Sequence, residues 1–176
     1  MADIQLLTTT DNVKMIAVLD DNVADNYLRA AMFEAQEVGL RGIVGSTLLD
    51  ALKAQATAGT LAGKYAELVN GHIVFYLAYA TKAELLPKLA YKASNAGVVR
   101  AQTEGYTPAT NAEVQAEVAR AEAKRDYYAY QMQLWLRANA DALPELTAHD
   151  CDRINACLRS ANNQIGIWLG GARGNF

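Results

Sequence analysis

Apolar side chains recur along most of this chain at the spacing of a helix rather than of a strand. After Thr8-Thr9-Thr10, Val13, Ile16 and Ala17 share one side of a short amphipathic stretch at 11–19. Asp20-Asp21-Asn22 offers a turn and an N-cap, since short polar side chains accept from the unpaired first amides of a helix. The next helix is predicted at 23–38, where Val23, Tyr27, Ala31, Ala35 and Val38 form a stripe that Leu28 and Met32 widen. Gly39, Gly42 and Gly45 are expected to break the chain into a compact loop, with Leu40, Ile43 and Val44 as its apolar plugs. Thr47-x-x-Asp50 has the look of a capping arrangement and opens a helix to about residue 58. Gly59 and Gly63 punctuate, and a shorter helix at 64–69 should stop at Asn70-Gly71.

The run 72–86 is helical and apolar on most sides, with Ile73, Val74, Phe75, Tyr76, Leu77 and Tyr79. Such a helix belongs in the middle of a core or between subunits. Pro87 should end or kink it, because proline lacks the amide hydrogen and clashes with the preceding turn. Residues 89–94 are ambiguous. The strongest helix is predicted at 111–139, opened by the capping box Thr110-x-x-Glu113 after Pro108. Its stripe is Val114, Val118, Ala121, Tyr128, Met132 and Trp135, and its length would be on the order of 40 Å. Arg125 falls on that stripe and must snorkel or pair with an acid. A turn around Pro144 follows, Thr147-x-x-Asp150 could cap a last helix to about residue 162, and 164–171 reads as an apolar, strand-like run with a glycine-rich end.

Between the two longest helices lies an extended segment at 95–110, bracketed by Gly97 and Gly105 and closed by Pro108. Extended chain advances about 3.3 Å per residue, so the segment can reach roughly 40–50 Å. A helical body gains little from such reach, whereas a subunit gripping a neighbour gains much. The pattern therefore points to assembly rather than catalysis.

Composition agrees with a mainly α fold: a helical bundle with one long amphipathic helix, an extended β-type arm at 97–108 and a strand-like C-terminal tail at 163–176. Much of the 52% apolar content is alanine, the best helix former, and aromatic residues make up only 8%. The 176 residues suit one domain spanning 1–176. A net charge of −3 and a pI near 5.4 exclude a strongly basic nucleic-acid footprint. No apolar run is long enough to span a membrane, and the first residues lack the pattern of a secretion signal. Cys151 and Cys157 form no recognisable disulfide framework, so a reducing interior is the expected place of synthesis and folding.

Candidate chemistry is sparse. The glycines of 39–47 superficially suggest a phosphate-binding loop, but the lysine is missing, the spacing is wrong and a helix precedes it. His149, Asp150, Cys151, Asp152 and Cys157 match no common zinc spacing. Cys151 has no motif that would pair it with His149 or His72 as a base, and Glu113 with Glu117 reads as a solvated helix face. Arg153, Arg159 and Arg173 could touch an acidic neighbour, although surface solubility explains them more simply. The expectation is a non-enzyme with no cofactor and no metal. The apolar run around Trp168 must dock, either on its own core or on a partner.

The order of these segments resembles the small head–tail connector (adaptor) proteins of tailed bacteriophages, especially those of phages and prophages of Bacteroides-type bacteria. The likeness covers roughly 4–146. It is carried by Ala35-Gln36-Glu37-x-Gly39-Leu40 with Ile43-Val44-Gly45, then Tyr65-x-x-Leu68-Val69-Asn70-Gly71 and Leu77-Ala78-Tyr79-Ala80, followed by Gly97-Val98-Val99, Glu104-Gly105-Tyr106-Thr107-Pro108 and Thr110-x-x-Glu113. Gly105, Pro87 and everything after Leu146 depart from that pattern. The resemblance implies a structural virion subunit at the head–tail junction, forming a ring (commonly twelve-fold in that family) beneath the portal. Its partners would be its own copies, the portal protein and a downstream tail or adaptor protein. Packaged DNA would pass through the channel without specific binding, and no membrane is involved. The expected inter-subunit contacts are Val98, Val99, Tyr106, Ile165, Ile167 and Trp168. The alternative is a bacterial helical module binding a small ligand or partner between 73–79 and Tyr127, Tyr128, Tyr130 and Trp135.

Overall fold

The computed structural model describes residues 5–94, 97–100 and 109–146, and these are mainly helical. The helices are α1 (Thr10–Ala17), α2 (Asp25–Glu34), α3 (Arg41–Val44), α4 (Ser46–Ala58), α5 (Gly63–Leu68), α6 (Val74–Ala90) and α7 (Asn111–Ala138). Two short strands, β1 (Tyr91–Ser94) and β2 (Gly97–Arg100), follow α6. The expected last helix and the tail at 163–176 lie outside the described residues.

α6 is the axis. Tyr76, Leu77, Ala78, Ala80, Thr81, Ala83 and Leu85 are all buried, and α7, α1 and α2 pack around it. One apolar cluster joins its first turns to Leu40, Val44, Leu48, Leu49, Leu52, Leu68, Met132 and Leu136. A second joins Leu85 to Val13, Leu28, Ala31 and Met32, with Leu89 packed against it. Fully burying a side chain of this size contributes roughly 1.5–3 kcal/mol relative to leaving it in water. Covering α6 on several sides is therefore the main stabilising event.

This packing overrides three expected chain breaks. Gly39 and Gly42 do not form a loop: the backbone stays helical from α2 through a π-helical turn at Ala35–Leu40 into α3, and the chain breaks only at Gly45, where φ is +86°. Asn70-Gly71 does not stop α5, which runs through a second π-turn at Val69–Ile73 into α6. Each π-turn absorbs a residue that would rotate the following apolar face off the core. Pro87 does not end α6 either. It sits in the last turn, where its missing amide costs one hydrogen bond, while Leu85 and Leu89 anchor that turn on both sides.

Local signals fared unevenly. The α7 capping box is present, with Thr110 Oγ1 accepting from the Glu113 amide at 3.3 Å and the Glu113 carboxylate accepting from the Thr110 amide at 2.7 Å. Asp50, expected to help cap α4, instead accepts from Arg41 at 3.1 Å, and Gly45 is the N-cap residue. Asp20-Asp21-Asn22 forms a turn, but α2 starts later, with Ala24 as its N-cap residue. The stripe on this helix is also rotated from expectation: Leu28, Ala31, Met32 and Ala35 are buried, whereas Val38 is 75% exposed. Arg125 pairs with acids as anticipated, donating to Asp126 at 2.8 Å and Glu122 at 3.4 Å. The turn at Pro144 closes the core with buried Leu143 and Leu146, and Tyr65 Oη donates to Glu145 at 2.6 Å to hold it.

The first π-turn also carries a polar junction. Gln36 is fully buried; its Oε1 accepts from the Leu7 amide at 2.9 Å and its Nε2 donates to the Gln5 carbonyl at 2.8 Å. Beside it, Glu37 accepts from Lys53 at 2.7 Å and from Arg41 at 2.6 Å, tying α3 and α4 to the turn. Burial alone would raise the pKa of Glu37, but hydrogen bonds from Lys53, Arg41 and Gln36 together hold it at about 2.

Two outcomes are expected. Gln36→Leu strands the Leu7 amide and should cost about 1–3 kcal/mol in urea unfolding, with no loss of helical circular dichroism below the transition. Because the folded pKa of Glu37 lies below its ordinary value of 4.5, its stabilisation is present above pH 4.5 and fades as pH falls toward 2. The stability gap between wild type and Glu37→Gln should therefore be widest near neutrality and close on acidification; a gap that stays constant with pH contradicts the assignment.

Candidate functional site

α6 delivers the chain directly into a β-hairpin. β1 and β2 pair antiparallel, with Tyr91 opposite Arg100, Lys92 opposite Val99, Ala93 opposite Val98 and Ser94 opposite Gly97. Val98 and Val99, two of the expected contact residues, lie on β2. The partner strand was not foreseen. An isolated two-stranded ribbon is marginal in water, and its outer edges present unpaired backbone groups that can accept another strand. Tyr106, Ile165, Ile167 and Trp168 lie outside the described residues.

After the hairpin region, α7 begins far from the core. None of residues 111–120 is buried; Val114, Glu117 and Val118 are half-buried, and Ala121 is the first buried residue. The 28 residues of α7 span about 42 Å at 1.5 Å per residue. Roughly its first third carries the capping box and surface ion pairs such as Arg120–Glu117, with little burial against the other described residues.

Further along, aromatic rings lock α7 to α6. Phe75 and Tyr79 both stack on Tyr128, with ring centres 5.4 and 5.6 Å apart, and Tyr127 meets Tyr128 edge-on at 5.3 Å. His72 packs against Trp135 at 5.5 Å, and burial lowers its pKa despite nearby Glu67. Lys64 lies over Trp135 and Lys124 over Tyr79. The rings proposed for a ligand pocket thus spend much of their surface on one another. Beside them a notch of about 320 Å³ is lined by Tyr79, Lys82, Arg120 and Lys124, with Glu117 opposing the cations.

Among the described residues, no three His, Cys, Asp or Glu side chains are placed to hold a metal. His149, Cys151 and Cys157 lie outside those residues. The glycine-rich run that suggested a phosphate loop is mostly helix, so its amides are engaged in helical hydrogen bonds rather than turned toward an anion. What the surface does offer is exposed apolar area, with Met15, Val18, Val38 and Tyr127 all more than half exposed. No described helix is long and apolar enough to cross a membrane.

Sequence reasoning missed one feature of this surface. Tyr76 on α6 brings its hydroxyl against Gly39 in the first π-turn, where an added Cβ would lie 2.5 Å from the oxygen. The available signal was a glycine inside a helical pattern, which often marks close packing rather than a break.

No curated protein matches this chain, and no solved structure does. A family model does match, over residues 40–155, from the end of the first π-turn through α7 and beyond. That span is more than half of the chain, and the chain belongs to the family of unknown function DUF6712.

Proposed function

We propose that this protein is a structural virion component: a head–tail connector (adaptor) subunit that forms a ring of its own copies beneath the portal, extends the DNA channel and joins capsid to tail. The observation that carries the reading is the hairpin between the two longest helices, followed by a helical stretch that the other described residues scarcely cover. Both are poor investments for an isolated domain. Both make sense where a neighbouring subunit supplies the missing contacts.

The resemblance noted in the sequence supports the same class, as does the mainly helical body. In this reading α2, α4, α6 and α7 form the body, while 97–108 reaches to the next subunit and the tail at 163–176 makes a second contact. Contacts of this head-to-tail kind close into a ring when the rotation per subunit allows it. The mechanism is architectural, with no enzymatic step, cofactor or metal. The mild negative charge suits a channel through which DNA must slide without sticking. Assembly would place the protein at the head–tail junction of the particle after synthesis in the host cytoplasm. The ligand-binding alternative is favoured less, because Tyr127, Tyr128 and Trp135 are already engaged in ring contacts.

Replacing residues 98–107 with a glycine–serine linker of equal length should leave helical circular dichroism and thermal unfolding unchanged. Incorporation into particles, measured by quantitative mass spectrometry after gradient purification, should fall at least about tenfold, the loss of ~1.4 kcal/mol or more of contact per subunit. Normal incorporation of the linker variant would remove the arm from the account.

A further inference from the structure

A cavity of about 410 Å³ opens where the first π-turn, α6 and α7 meet, with Glu34, Val38, Gly39, Tyr76, Glu84 and Arg125 on its lining. Tyr76 is only 3% exposed, but its hydroxyl is not sealed off: it lines the cavity and makes no hydrogen bond with any described residue. A hydroxyl that opens onto a cavity of ligand size, with no protein partner of its own, is available to a guest. Gly39 keeps that place open, since any larger residue would push a Cβ onto the hydroxyl.

The charges select the guest. Arg125 already donates to Asp126 and Glu122, and Lys88 already pairs with Glu34. Both cations are thus already paired with carboxylates. Glu84 is exposed and has no ion pair among the described residues. Two carboxylates, Glu34 and Glu84, line the cavity against one cation, Arg125, and the surplus is acidic. Burial pushes the Tyr76 phenol up to about 12, so it stays neutral and its oxygen can accept from an N–H donor. Ala35, Ala80 and Val38 add apolar wall that suits an aliphatic stem.

We propose that the cavity receives an arginine or lysine side chain of a second copy of this chain, the cationic head donating to the Tyr76 oxygen and the Glu84 carboxylate. The exposed rim argues for a protein guest: Val38 at the mouth is 75% exposed, and Phe33 lies a little over one turn earlier on the same helix at 40%. The chain also has basic side chains to give. Arg29 and Arg137 are exposed and form no ion pair among the described residues. One face that gives a cation and another that receives it make a heterologous contact. The identity of the guest as a second copy rests on the ring reading; the chemistry of the cavity does not.

The test titrates the full-length chain with Nα-acetyl-arginine methylamide while following backbone and tyrosine resonances. Saturable shifts are expected around Gly39 and Tyr76. Glu84→Gln and Tyr76→Phe, which keep side-chain shape, should each weaken binding by about tenfold or more, since each removes a hydrogen bond to a charged group. Glu117→Gln, on the neighbouring notch, should not. Failure of the wild-type chain to saturate, or equal binding by all variants, overturns the site. In a parallel arm, self-association of wild type and Glu84→Gln is compared by mass photometry under conditions that assemble the ring. Loss of both probe binding and assembly in Glu84→Gln supports the proposal. Probe binding with undiminished assembly of Glu84→Gln overturns the second copy as guest while leaving the ring intact. A wild-type chain that binds the probe but never self-associates, even with portal present, removes the ring reading and the second copy with it.

Discussion

A helix that is apolar on most of its circumference has to be covered on most of its circumference, and α6 imposes that requirement on the whole chain. α1 and α2 cover one part of it, and α7 another. The leucines of α4, Leu48, Leu49 and Leu52, belong to the same apolar cluster as Tyr76, Leu77 and Ala80 of the first turns of α6. The two apolar clusters are separate patches, yet α6 contributes to both and so makes them one body. Residues that would ordinarily stop a helix are carried through because stopping would uncover this surface.

The two π-turns are where that demand meets the sequence. Each lies within a helix that must keep an apolar face on the core across a residue too many, and each shifts the register instead of ending the helix. The first one has further consequences. It buries Gln36, which holds the N-terminal segment, and it turns Glu37 toward Lys53 and Arg41. It also brings Gly39 down onto Tyr76. A junction, an ion-pair network and a cavity thus share one local distortion.

What could be read from the sequence was mostly what is decided locally. The Thr110–Glu113 box fixes the start of α7 with atoms three residues apart, and the helical period of 111–139 needs no partner to be seen. Gly39, Gly42, Asn70-Gly71 and Pro87 were misread because their local preference for breaking is worth about 1–3 kcal/mol, less than the apolar burial that overrides it. Asp50 looked like a cap because its spacing allowed one, while Arg41, nine positions away, claims its carboxylate in space. Val98 and Val99 read as extended, but nothing in Tyr91–Ser94 announced a pairing strand, since a hairpin partner is set by register. The closeness of Gly39 to Tyr76 depends on two elements meeting and had no local signature beyond the glycine.

If the hairpin serves assembly, Lys92 on β1 should lie close to another subunit in intact particles. Cross-linking mass spectrometry on particles grown from mixed light- and heavy-nitrogen protein measures this directly. The account predicts mixed-isotope cross-links from Lys92 to a second copy of the chain. Particles that contain the protein but give only same-isotope links from Lys92, or particles that lack the protein altogether, would contradict it.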